Sequence, residues 1–123
     1  MKLAAPIGFK TVIIDDGWQT NKPSGLGAYE TAGDWQISKD KFYDFPKFVK
    51  DVHELGIKVM LWVAVPYLGM DTEAFKTYQD KLLFINTPAN AGVIDPRYKE
   101  CRDYVINSCI NLVKDNNLLY IKK

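Results

Sequence analysis

The chain is organised by one stretch, Thr11-Val12-Ile13-Ile14-Asp15-Asp16-Gly17-Trp18. Four β-favouring residues without a charge among them predict a strand buried on both faces. The run stops at two adjacent carboxylates and a glycine, the residue that most readily enters a tight turn. Asp15 and Asp16 therefore sit at the carboxyl end of a strand, where α/β proteins bind their ligands. Neighbouring charges are costly to bury and persist where hydrogen-bond donors meet them. Sugar hydroxyls are such donors, and the indole of Trp18 offers a face for the apolar side of a sugar ring. A solvated turn with one capping aspartate explains the same residues, and this stretch alone leaves both readings open.

Two further apolar runs follow, at residues 58–65 and 118–122. Between the first and second, a helix is expected at about residues 46–55, with Phe45 just before it and Phe48, Val49, Val52 and Leu55 on one helical face. Asp44 suits the cap, Pro46 the first turn and Gly56 the stop. Strand, helix and strand then form a right-handed βαβ unit. That unit brings Trp62, near the exit of the second strand, to the same edge as Asp15 and Asp16. A core tryptophan is the plainer explanation of Trp62. His53 lies beside the helix's apolar face and is expected to be part-buried and hydrogen-bonded to backbone rather than catalytic.

Elsewhere, residues 1–8 read as a helix end stopped by Gly8, and residues 18–44 as a long loop containing Pro23–Gly27 and Ala32–Trp35. Two tryptophans and two tyrosines in that loop predict that it is packed. A short helix is expected from Asp71 to Leu82, with Phe75, Tyr78 and Leu82 on one face. Leu83–Ile85 reads as a small accessory strand, residues 88–92 as a turn and 93–95 as an extended piece. The longest helix is expected at 97–115, burying Tyr98, Cys101, Val105, Cys109 and Leu112.

At 123 residues and 47% apolar composition, the chain has the material for one domain core. A net charge of +1, with no basic cluster, gives no electrostatic case for nucleic acid or an anionic membrane. Cys101 and Cys109 fall in one expected helix about 12 Å apart, too far for a mutual disulfide. With a single histidine and no paired-cysteine motif, no metal and no cofactor are expected. The N-terminus lacks the pattern of a signal peptide and no apolar run approaches a membrane span, so the expected location is cytoplasmic. Oligomeric state is left open.

The fold class expected is α/β, with about three parallel strands and intervening helices. Three such strands cannot close an eight-stranded barrel, so the 123 residues read as a fragment of one larger domain, cut at both ends. A flavodoxin-like protein is disfavoured because Asp15-Asp16 stands where a phosphate loop would lie and would repel a phosphate. A non-catalytic α/β sugar-binding or scaffold module remains as an alternative.

Ile14-Asp15-Asp16-Gly17-Trp18, Gly33-Asp34-Trp35, Leu55–Trp62 and Tyr120-Ile121-Lys122 occur in that order. In this the chain resembles the melibiase-type α-galactosidases, glycoside hydrolase family 36 and its relatives in family 27. The resemblance implies a (β/α)8 TIM barrel, of which this chain would be strands two to four. It also implies retaining hydrolysis of terminal α-galactosides by two carboxyl groups roughly 5 Å apart on opposite faces of the anomeric carbon. Asp15 and Asp16 would hold galactose hydroxyls, Trp62 would line the pocket, and Lys122 would bind sugar hydroxyls. Trp18, Asp34 and Trp35 would be loop contacts. The nucleophile would follow Lys123, in a pattern like Tyr-Ile-Lys-X-Asp, and the acid/base would lie on a later strand. The chain alone would then be inactive. Asp15 and Asp16, adjacent at one strand end, cannot flank a bond from opposite faces, which favours binding over catalysis. The arginine common in that family is missing between Asp71 and Pro96. Family 31 α-glucosidases share a looser pattern around Asp34-Trp35 and Phe45-Pro46 but lack the Asp-Asp-Gly-Trp turn.

Overall fold

The computed structural model describes residues 2–22, 29–118 and 120–122, the last three as backbone only. Pro23–Gly27 and the position after Lys123 lie outside the described residues. Among the described residues there are two three-stranded sheets. In the first, β1 (Thr11–Ile14), β2 (Lys58–Trp62) and β6 (Tyr120–Lys122) pair in parallel in the order β1-β2-β6. In the second, β3 (Tyr67–Gly69), β5 (Ala91–Ile94) and β4 (Leu82–Asn86) pair antiparallel in the order β3-β5-β4.

Helix α1 (Phe45–Glu54) connects β1 to β2 and buries Phe45, Val49 and Val52. Its ends follow from its sequence. The Asp44 carboxylate accepts the Lys47 amide at 3.0 Å, and Pro46 sits in the first turn, where its missing N–H leaves no bond unmade. At the other end the amides of Gly56 and Ile57 return to the carbonyls of His53 and Val52, closing the helix and turning the chain into β2. Val59 and Leu61 then point into the same core as Phe45 and Val49. The amides of Gly8 and Phe9 make the same pair of bonds to Ala5 and Ala4, but residues 2–8 are turns rather than a helix.

Several expectations are corrected. β1 is not buried on both faces: its side chains alternate, Val12 and Ile14 pack against the core, and Thr11 and Ile13 on the other face are exposed, Ile13 to 43%. β2 ends at Trp62 rather than at Val65. His53 is part-buried, but among the described residues its Nε2 has no hydrogen-bond partner. Helix α2 (Glu73–Tyr78) stops four residues short of Leu82, which instead opens β4. β3 was not foreseen. Helix α3 (Lys99–Asp115) begins two residues late and buries Cys101 and Leu112, while Tyr98 is exposed at its cap. Asp95, just before α3, takes Arg97 on both carboxylate oxygens, and that guanidinium holds its carboxyl below the usual range. Among the described residues neither Cys101 nor Cys109 forms a disulfide.

Candidate functional site

The strand register builds one edge. Ile14 pairs with Leu61 and Leu61 with Ile121. One residue further along, Asp15 is level with Trp62, and Trp62 pairs with Lys122. Asp15, Trp62 and the backbone of Lys122 therefore stand side by side where the parallel strands end, with Asp16 next in the chain. The turn that follows requires Gly17, whose φ of +110° is a conformation that side chains resist. Both carboxylates are exposed. Each has one oxygen engaged from within the turn: Asp15 Oδ1 accepts the Asp16 amide at 2.9 Å, and Asp16 Oδ1 accepts Gln19 Nε2 at 2.8 Å. Among the described residues no hydrogen bond reaches either Oδ2.

Beneath the carboxylates lies a cluster of three indoles. Trp18 is 2% exposed and donates its Nε1–H to the Trp62 carbonyl at 2.8 Å, tying the turn to the end of β2. Trp35 stacks on Trp18 with ring centres 5.9 Å apart and meets half-buried Trp62 edge-on at 6.2 Å. Each such aromatic pair contributes about 0.5–1.5 kcal/mol beyond its buried area. Trp35 adopts a φ of +48°, which for a bulky residue costs about 1–3 kcal/mol and persists only where packing enforces it. Here the packing is the indole wedged between two others. The long loop is thus packed by its tryptophans, whereas Tyr29 and Tyr43 remain exposed.

Asp34 and Trp35 are occupied structurally. Asp34 Oδ1 and Oδ2 accept the amides of Ala74 and Glu73 at 2.8 and 3.1 Å, so this carboxylate caps α2 from forty residues away. The Tyr104 hydroxyl donates to the neighbouring Gly33 carbonyl, and burial pushes its pKa up to about 12, which keeps that donor protonated. Replacing Asp34 with alanine should cost about 1–2 kcal/mol of stability through the orphaned helix amides. Denaturant titration of the full-length protein that carries this chain measures it, and an unchanged midpoint would contradict the cap.

Residues 1–123 match the melibiase family along their whole length. The chain belongs to the melibiase family. This melibiase chain is 27% identical, over 98% of its length, to α-galactosidase AgaA of Geobacillus stearothermophilus. It is 28% identical, over 97% of its length, to α-galactosidase 2 of Pediococcus pentosaceus. It spans 17% of the length of each of these relatives. The solved α-galactosidase of Lactobacillus brevis shares its fold with a TM-score of 0.82 at 26% identity, over 98% of this chain and 17% of that one. AgaA in complex with raffinose gives 0.85 at 24% identity, over the same shares of the two chains.

Gln19, Thr31 and Lys41 also belong to this edge, although no local signal in the sequence marks them. The Lys41 ammonium donates to the Gly17 carbonyl at 2.5 Å, and Gln19 bonds to both Asp16 and Thr31. A polar cleft of about 170 Å³ opens beside Gln19, bounded by Lys22, Glu30, Thr31, Asp71 and Thr72. A larger groove of about 480 Å³, between residues 34–39 and the C-terminal half of α3, touches none of Asp15, Asp16 and Trp62. Among the described residues no cluster of three metal-ligating side chains occurs, and no helix is long and apolar enough to cross a membrane.

Proposed function

We propose that this chain is the glycone-binding part of a retaining α-galactosidase, contributing strands two to four of a (β/α)8 barrel. β1, β2 and β6 would be those strands, with the antiparallel β3-β5-β4 sheet inserted between the second and third. Asp15 and Asp16 accept hydroxyl hydrogen bonds from a terminal galactose, Trp62 packs against its ring, and Lys122 donates to its hydroxyls. The observation that carries this reading is the shared edge: two carboxylates, each with an oxygen left to accept, level with an indole and a lysine position at the ends of parallel strands. A sugar brings many O–H donors and one apolar face, and this set of groups complements both. The binding of raffinose by AgaA, a sugar that ends in an α-linked galactose, supports the same choice of ligand.

The chemistry lies outside these groups. Retention requires a nucleophile and an acid/base on opposite faces of the anomeric carbon, roughly 5 Å apart. Asp15 and Asp16 leave the same strand end and approach from one side. We place the nucleophile in the position after Lys123 and the acid/base on a later strand. The full-length protein carrying this chain should hydrolyse nitrophenyl α-galactoside and release galactose first as the α anomer, visible by proton NMR. Residues 1–123 alone should show no turnover. Release of the β anomer, or robust turnover by the 123 residues, would overturn the assignment.

A further inference from the structure

We propose that Gln19 is a positioning residue of the sugar site, whose amide fixes the Asp16 carboxylate so that Oδ2 is left as the ligand's acceptor. The inference rests on the reading of this edge as a galactose site. Gln19 is 9% exposed, and both polar groups of its side-chain amide are used. Its Oε1 accepts the Gly17 amide at 2.9 Å. Its Nε2 donates to Asp16 Oδ1 at 2.8 Å and to Thr31 Oγ1 at 3.1 Å, which accounts for both hydrogens of a primary amide. The orientation is not interchangeable. A flipped amide would set its NH2 against the Gly17 N–H and its oxygen against the Asp16 carboxylate, replacing two attractions with two repulsions.

The consequence for binding follows from where Asp16 stands. Its carboxylate is exposed at the end of an edge strand, where it would otherwise rotate freely. Ordering a loose side chain on binding subtracts from affinity, and a group fixed beforehand avoids that loss. Gln19 is itself held by Thr31, so the order reaches Asp16 from twelve residues further along the long loop through a chain of two hydrogen bonds. Gly17 and Gln19 also brace the turn, and an effect on the turn alone must be separated from an effect on the carboxylate. The substitution Gln19→Glu does this, because it keeps an oxygen for the Gly17 amide while removing both donors. Gln19→Met removes all three bonds at nearly constant volume.

The test uses the full-length protein that carries this chain, with free galactose as a competitive inhibitor of nitrophenyl α-galactoside turnover. The inhibition constant does not depend on the fraction of active protein, so partial misfolding does not move it. Both Gln19→Met and Gln19→Glu should raise it about tenfold, with kcat changing less. Combined with Asp16→Ala, Gln19→Met should add nothing further, because the group it positions is gone. Should Asp16→Ala weaken galactose while either Gln19 variant binds as the parent does, the positioning role is overturned and the sugar site stands. Additive effects in the double variant would overturn it equally. Should Asp16→Ala leave the constant unchanged, the sugar-site reading fails and the inference with it.

Discussion

If the proposed galactose site is right, replacing Asp16 with alanine in the full-length protein that carries this chain should lower kcat/KM on nitrophenyl α-galactoside by about 30- to 1,000-fold, equivalent to about 2–4 kcal/mol. The loss exceeds that of an ordinary hydrogen bond because the acceptor is charged. Once the sugar has displaced water, its hydroxyl donors have no other partner. The same substitution should leave the melting temperature nearly unchanged, since the carboxylate is exposed and the bond it gives up joins it to Gln19 within the same turn. Kinetics and thermal unfolding measured on one preparation separate the two effects. An unchanged kcat/KM would remove Asp16 from the site.

The second large effect is on folding. At Gly69 an added Cβ would lie 1.8 Å from the Glu30 carbonyl oxygen and 2.4 Å from its carbon. Both are backbone atoms, so no rotamer change relieves the clash. The two segments cannot simply part, because the Gly69 amide donates to the Ala32 carbonyl at 2.8 Å and β3 is paired with β5. Gly69→Ala should therefore destabilise the full-length protein by about 3 kcal/mol or more, at the upper end of what overpacking that shifts backbone costs. A urea unfolding midpoint measures it, and a change under about 1 kcal/mol would contradict the close approach. Because residues 30–32 carry Thr31, which holds Gln19, the same displacement should weaken galactose binding as well.

The two predictions differ in how legible they were in the sequence. The carboxylate pair, the glycine turn, the caps of α1 and the parallel βαβ unit all rest on local signals, read within a few residues of where they act. Asp44 caps the helix that starts beside it, and Gly17 follows the strand it ends. The features that escaped depend on partners distant in the chain. Asp34 caps a helix forty residues on, and nothing near Asp34 announces that. β3 is three residues long, too short for an alternation to register, and exists through its pairing with β5. The end of α2 was misjudged because Leu82 continues the helical spacing of Phe75 and Tyr78, while its backbone pairs with Ile94 instead. Ile13 shows the converse error, since an apolar run reports what a strand is suited to pack against, not what covers it. Gln19 reads as an ordinary loop residue until the chain returns at Thr31.

The central claim, that the end of β1 and β2 is a galactose site, is tested most directly by a crystal structure of the full-length protein with galactose. One sugar ring is expected against Trp62, with its hydroxyls about 2.6–3.0 Å from carboxylate oxygens of Asp15 and Asp16. Galactose bound elsewhere in the protein, with both carboxylates facing only water, would contradict it.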